Sequence, residues 1–190
     1  MCDNVWKIKE NMIKKNSVFI AKSLDGYISD KNGGLDWLNS ISNPDEIDMG
    51  YELFMKGIDA IVMGRKTFEA VCNFDIDWPY SKPVFVLSRS LEIIPANYEN
   101  EVGLVKGSII NVVKKLNQRG YDRLYIDGGS TIQSFLKEDH IDELIITTIP
   151  IFLGGGATLF SELPDKLEFK HVESKVFLGD IVQNHYKRKR

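Results

Sequence analysis

The sequence is poor in the residues that build disulfide frameworks and metal centres. It has two cysteines, Cys2 and Cys72, far apart in the chain, and three histidines that lie at scattered positions, His140, His171 and His185. Structural disulfides and zinc sites need such side chains in pairs or at short, regular spacings. The sequence therefore predicts neither a disulfide framework nor a bound metal, and its cysteine content is typical of a cytoplasmic protein.

Long apolar runs and an excess of positive charge are also missing. No segment approaches the ~18 consecutive apolar residues of a membrane-spanning helix. The formal net charge is −3 and the pI is about 5.7, so the chain has no electrostatic footprint for nucleic acid. We expect a small-molecule partner instead. The first residues carry lysines without the apolar core of a secretory signal, which predicts an N-terminal extension at 1–16 and one domain at 17–190.

What is present is an alternation of strand-like and helix-like patterns. Strands are predicted at 17–23, 59–64, 82–88 and 123–127, and helices at 43–57, 65–72, 108–120 and 128–139. Three more strands follow at 142–150, 167–179 and 181–189, the last two as an antiparallel hairpin. Alternating strands and helices form βαβ units. The predicted fold is α/β, with a mostly parallel central sheet, flanking helices and an antiparallel C-terminal hairpin.

Three of the predicted strands end in residues that suit an anion. These ends are Gly64-Arg65-Lys66-Thr67, Leu87-Ser88-Arg89-Ser90 and Asp127-Gly128-Gly129-Ser130-Thr131. Helix-start amides, glycines and guanidinium groups bind phosphates. Each segment alone is more often a turn or a solvated loop, but parallel strands bring all three to one edge of the sheet. The set predicts a ligand with several phosphates, although neither the P-loop nor the G-x-G-x-x-G spacing is present.

The order of five segments resembles a known family. The segments are "SLDGYIS", "DAIVMGRKTFE", "VFVLSRS", "LYIDGGSTIQSFL" and "PIFLGGGATLF". They resemble the dihydrofolate reductase-like family over residues 17–186, and especially the reductase half of the riboflavin deaminase-reductases and its stand-alone relatives. The resemblance implies a three-layer dihydrofolate reductase-like fold, NADPH as hydride donor and a homodimer. The zinc motif of the deaminase half, H-x-E with P-C-x-x-C, is absent from the sequence.

The resemblance also implies roles for individual residues. Cofactor phosphates are expected at Gly64, Arg65, Lys66 and Thr67, the 2′-phosphate at Leu87, Ser88 and Arg89, the pyrophosphate at Gly128, Gly129, Ser130 and Thr131, and the nicotinamide carboxamide at the backbone of Ala21. Substrate contacts are expected at Ser23, Asp25, Gly26, Asp36, Leu153 and Gly154.

The expected catalytic carboxylate is Asp48. It lies 17 residues before Arg65 (65 − 48), which matches the spacing of the acid in dihydrofolate reductases. If Asp48 faces the cleft, burial should raise its pKa. The alternative is an acid that only stabilises the start of the predicted 43–57 helix. Asp25 and Asp36, which precedes Trp37, are the rival carboxylates.

Three functions remain open from the sequence. The first is an NADPH-dependent reductase that acts on 5-amino-6-(5-phosphoribosylamino)uracil or a similar small heterocycle. The second is dihydrofolate reduction, which would require Asp48 to assist protonation of a ring nitrogen. The third is a nucleotide-binding sensor that keeps the cofactor edge without turnover.

Overall fold

The computed structural model describes residues 14–74 and 77–190. The longer strands are β1 (Lys15–Ser23), β3 (Ala60–Gly64), β4 (Val84–Leu87), β5 (Val102–Val105), β6 (Arg123–Asp127), β7 (Glu143–Ile149), β9 (Phe169–Phe177) and β10 (Ile181–Arg188), and the short ones are β2 (Tyr27–Ser29) and β8 (Ala157–Thr158). The helices are α1 (Tyr51–Lys56), α2 (Arg65–Cys72), α3 (Ile109–Gln118) and α4 (Gly129–Lys137), with 3₁₀ turns at Asp36–Asn39 and Ala96–Tyr98.

The eight longer strands form one twisted sheet in the order β5-β4-β3-β6-β1-β7-β10-β9. The first six strands of this order are parallel to one another. Strand β10 is antiparallel to both β7 and β9. The predicted α/β fold with an antiparallel C-terminal hairpin is confirmed. Strands β4, β3 and β6 are neighbours, so their carboxyl ends meet at one edge.

Helices cover both faces of this sheet because successive side chains of a buried strand point in opposite directions. Val62 of β3 packs with Leu116 of α3 and Phe135 of α4 on one face. Met63 packs with Phe68 of α2 on the other face, where Met55 of α1 also lies. The result is three layers with a hydrophobic core on each side of the sheet.

The predicted helix at 43–57 is wrong in its first half, since α1 begins only at Tyr51. Met49 and Gly50 have left-handed backbone angles, with φ of 52° and 90°, and a helix cannot pass through them. The Asn43 side chain does not cap a helix either. It accepts a hydrogen bond from the Ile47 amide at 2.9 Å and donates to the Ile47 carbonyl at 3.0 Å, which closes a turn.

Three strands were not predicted from the sequence, and the reason is the same for all three. Strand β5 has four residues and includes a glycine, while β2 and β8 have three and two residues. Segments this short carry too few alternating side chains to show a strand period. Strand β1 starts at Lys15, slightly before the predicted position. The predicted extension lies mostly outside the described residues.

No helix in the described ranges, 14–74 and 77–190, combines the length and the apolar character that crossing a bilayer requires.

Candidate active site

A cleft of about 990 Å³ lies where strands β3, β4 and β6 end. All three predicted anion segments contribute to its wall, through Gly64, Arg65, Lys66, Leu87, Ser88, Arg89, Ser90, Ser130 and Thr131. This volume lies at the upper end of the range for small-molecule binding sites. The structure therefore brings together segments that are far apart in the sequence.

A fourth segment of the chain lines the cleft and was not predicted from the sequence. Gly107 and Ser108, between β5 and α3, and Ile109, the first residue of α3, also line it. This segment could have been found only by recognising the four-residue strand β5. With it, the amino-terminal ends of α2, α3 and α4 all reach the cleft. Each end presents unpaired amides and a positive dipole, so the backbone itself favours an anionic ligand.

Arg65 is held in place across the cleft. Its Nε donates to Glu69 Oε1 at 2.6 Å within α2, and one terminal nitrogen donates to Ser90 Oγ at 3.3 Å in the loop after β4. Ser88 is buried and shapes that loop, because its Oγ accepts hydrogen bonds from the amides of Ser90 at 3.2 Å and Leu91 at 3.0 Å. The exposed Arg89 and Lys66 are the other cations on the wall.

Two glycines bring the segments into contact. A Cβ on Gly128, whose φ is +85°, would lie 2.1 Å from Thr67 Oγ1, and a Cβ on Gly64 would lie 2.8 Å from Thr131 Oγ1. Thr67, Gly128 and Gly129, which the sequence predicted as cofactor contacts, are not part of the cleft wall. Because neither glycine carries a Cβ, the start of α2 can lie in close contact with the turn and first residues of α4.

Asp127 is a candidate functional residue that the sequence analysis named only as the first residue of a predicted anion segment. It ends β6 and pairs with Met63, the residue before Gly64. Its Oδ1 accepts a hydrogen bond from the Gly128 amide at 2.8 Å. Burial among protein atoms raises the pKa of this carboxyl, against the opposing effects of Gly128 and the Tyr125 hydroxyl. Its position as the last residue of a buried strand before Gly-Gly was the available signal.

Asp25 joins the two predicted substrate segments. Its carboxylate accepts hydrogen bonds from Ser23 Oγ at 2.6 Å, the Leu153 amide at 3.1 Å and the Gly154 amide at 2.7 Å. Partial desolvation raises the pKa of Asp25, but these hydrogen bonds outweigh it and hold the pKa below its usual value. Gly26 is part of the same connection, since its carbonyl accepts from the Leu159 amide at 2.9 Å.

Asp48 is exposed and lies just before α1. Its carboxylate accepts hydrogen bonds from the amides of Glu52 at 2.8 Å and Gly50 at 2.9 Å, and these bonds lower its pKa. The pKa rise expected for a buried, cleft-facing acid is therefore not found. This geometry is that of an acid that stabilises a helix start, and a catalytic role for Asp48 stays a prediction.

The remaining predicted residues lie near the carboxyl end of β1 or in the loop that follows β2. Ala21 pairs with Thr147 of β7 and packs in a small cluster with Trp37, Ile149 and Ile181. Asp36 is exposed in the first 3₁₀ turn, whereas Trp37 beside it is buried. Within the part of the chain that the structure describes, no group of three or more acidic, histidine or cysteine side chains could hold a metal ion.

The model of the RibD C-terminal domain family matches residues 15–183, which includes every segment of this site. The chain belongs to the RibD C-terminal domain family. The uncharacterized protein YwjB of Bacillus subtilis strain 168 is 36% identical over 180 residues, which cover 93% of this chain and 99% of YwjB.

Solved structures agree with this membership in the RibD C-terminal domain family. A Shewanella sp. PV-4 protein named for riboflavin biosynthesis is 54% identical, with a TM-score of 0.91 over 93% of this chain and 99% of its own. The deaminase and 5-amino-6-(5-phosphoribosylamino)uracil reductase of Thermotoga maritima has 17% identity and a TM-score of 0.69 over 93% of this chain and 57% of its own. The dihydrofolate reductase of Enterococcus faecalis, solved with NADP(H), has 16% identity and a TM-score of 0.64 over 94% and 99%. The last two likenesses show the fold alone.

Proposed function

We propose that this member of the RibD C-terminal domain family is an NADPH-dependent reductase of the riboflavin-pathway type, which reduces a small heterocycle. The observation that carries the proposal is the single cleft on which three strand ends and the cations Arg65, Lys66 and Arg89 converge. Two phosphate groups in a pyrophosphate and a third on the adenosine ribose would match this distribution of cations and helix starts.

The chain's own residues would bind and orient the cofactor. Arg65, already held by Glu69 and Ser90, would contact a phosphate with little further loss of side-chain freedom. The helix starts at Gly64 and Ser130 would supply backbone amides. Arg89 and the loop shaped by Ser88 would hold the 2′-phosphate that distinguishes NADPH from NADH.

The protein would give the acceptor a proton and would form no covalent bond with it. Bound NADPH would supply a hydride, so a two-electron reduction of the acceptor would also need one proton. Asp127 pairs with Met63, the residue before Gly64 of the cleft, and the raised pKa of its carboxyl favours the protonated form that would give this proton. Solvent water then returns the proton to Asp127.

Replacement of Arg89 by Ala tests the cofactor assignment. A charge-assisted hydrogen bond contributes ~1.5–3 kcal/mol, so we expect Arg89→Ala to weaken NADPH binding about 10-fold or more and to change NADH binding little. Titration by intrinsic tryptophan fluorescence measures both dissociation constants. Lys115→Ala, which removes an exposed cation of α3 outside the cleft, is the control. Equal weakening of NADPH binding and NADH binding would contradict the assignment of the 2′-phosphate to Arg89.

The same protein then allows the alternatives to be separated. NADPH oxidation with 5-amino-6-(5-phosphoribosylamino)uracil supports the riboflavin-type reductase, and oxidation with dihydrofolate supports the dihydrofolate alternative. Tight NADPH binding without turnover of either would favour the sensor.

A further inference from the structure

Two connecting segments of the chain are joined into one unit beside α4. Residues 24–29 follow β1 and contain β2, and residues 151–159 follow β7 and contain β8. Strands β2 and β8 pair antiparallel in a small sheet of their own, separate from the eight-stranded sheet. We call these two segments together the ribbon. Neither segment is part of the wall of the cofactor cleft, so the ribbon can act on a bound cofactor only through the residues that it contacts.

Asp25 ties the two segments of the ribbon together at the end next to β1. Its hydrogen bonds from the Leu153 and Gly154 amides cross from one segment to the other, and its bond from Ser23 Oγ fixes the carboxylate against β1. Ser23 is fully buried, and its Oγ also accepts a hydrogen bond from the Tyr27 amide at 2.9 Å. Both carboxylate oxygens of Asp25 are therefore bonded to protein donors that hold the ribbon.

The other end of the ribbon rests on the start of α4. Gln133 Nε2 donates a hydrogen bond to the Thr158 carbonyl of β8 at 2.9 Å. A Cβ on Gly129 would lie 2.8 Å from Ile28 Cδ1 and 3.2 Å from the Thr158 carbonyl oxygen, so β2 and β8 both contact the first residue of the helix. The two residues after Gly129 line the cofactor cleft. The ribbon therefore supports a helix start that forms part of the cleft wall.

We propose, building on the reductase function above, that Asp25 and Gln133 are positioning residues for the cofactor. They hold the ribbon at its two ends, and the ribbon holds the start of α4 where it meets the cofactor phosphates. Amides at a helix start bind a phosphate only when they point at it, and a small displacement of the helix start lengthens these hydrogen bonds. The pyrophosphate is common to NADPH and NADH, so the ribbon acts on the binding of both nucleotides, unlike Arg89.

Replacement of Gln133 by Met tests the contact with α4. The change keeps the length of the side chain and removes the donor to Thr158, so we expect NADPH and NADH binding each to weaken about 5-fold in a fluorescence titration. Gln118→Met, at the exposed last residue of α3 outside the cleft, is the matched control and should leave both dissociation constants within 2-fold.

The same titrations separate a positioning role from a structural one. A residue that only stabilises the fold lowers the melting temperature and leaves the affinity for nucleotides unchanged. Unchanged NADPH affinity in Gln133→Met would therefore overturn the proposal, and so would weakening of NADPH alone. Failure of the unaltered protein to bind NADPH would instead overturn the proposed reductase function.

A double variant tests whether the two ends act through one unit. Asp25→Asn replaces one acceptor oxygen with a nitrogen that cannot accept from the Leu153 or Gly154 amide, and we expect NADPH binding to weaken about 5-fold. When Asp25→Asn is combined with Gln133→Met, the loss should be smaller than the product of the two single losses, because both changes release the same ribbon. Losses that multiply fully would overturn the proposal, as would an unchanged affinity in Asp25→Asn.

Discussion

Three carboxylates near the site illustrate how surroundings assign different roles to one functional group. Asp25 and Asp48 accept several hydrogen bonds from amides or a hydroxyl, so their charged forms are stabilised and their pKa values are lowered. At Asp127 the desolvation of the carboxyl outweighs the Gly128 amide at 2.8 Å and the Tyr125 hydroxyl, so its pKa is raised. A carboxyl that gives up a proton during reduction needs the second environment, which only Asp127 has among the three.

We predict that Asp127→Asn lowers kcat about 100-fold, since general acid catalysis contributes 10²–10⁴-fold. The raised pKa means that the proton is present below that pKa and is lost above it. In the unaltered protein kcat should therefore fall as pH rises through the pKa of Asp127, and this step should be missing in Asp127→Asn. Steady-state rates across pH measure the effect, with the NADPH dissociation constant as the control. An identical pH profile in both proteins would contradict the proton-donor role.

For Asp48 we predict a structural effect. Its pKa is below the usual 3.8, so its contribution to stability is present above 3.8 and is lost as pH falls through the lower value. Asp48→Asn should thus lower the melting temperature slightly at pH 7, with a smaller difference at pH 3, and should leave turnover within 2-fold of the original. Thermal melts and steady-state rates measure these quantities. A fall in turnover of ~10-fold or more with NADPH affinity intact would instead support catalysis by Asp48.

At the scale of elements, the sequence predicted the convergence of three strand ends better than the structure around them. Gly64 ends a strand with a clear apolar run, and Ser88 and Ser130 come soon after two others, so their convergence follows from parallel pairing alone. The start of α1 could not be predicted from composition, because the proline and acids at 43–48 are typical of a helix start while the left-handed Met49 and Gly50 prevent one. The role of Asp127 depends on rings from other elements, which no local pattern shows.

Contact between α2 and the start of α4 depends on the absence of a side chain at Gly128. A side chain at position 128 would place Cβ 2.1 Å from Thr67 Oγ1, so Gly128→Ala should push the two helix starts apart and weaken NADPH binding at least 10-fold. Gly120→Ala is the matched control, because Gly120 has a similar φ of +91° and nothing within 4 Å of its added Cβ. Both variants carry backbone strain, but only Gly128→Ala carries the clash. Equal NADPH affinities in the two variants would contradict the claim that Gly128 lets the starts of α2 and α4 come together.

At the scale of the whole molecule, one edge of the sheet stands open. Strand β9 is the last strand of the order, and seven of its nine residues are exposed. Val176 is 63% exposed, and its neighbour Val182 of β10 is 37% exposed. A long strand edge with apolar side chains readily pairs or packs with another chain. A second copy of this chain is the partner that accounts for such a surface without any further component.

We therefore predict a homodimer that covers β9 and the adjacent part of β10. Light scattering at micromolar concentration should give twice the chain mass of 21.6 kDa. Val176→Asp should shift the protein to monomers, because a charge buried in an apolar interface has no partner. Ile93→Asp is the control, since Ile93 is 75% exposed in the loop after β4 and lies away from this edge. A monomeric unaltered protein would end the prediction, and a dimer that Val176→Asp leaves intact would move the interface to another surface.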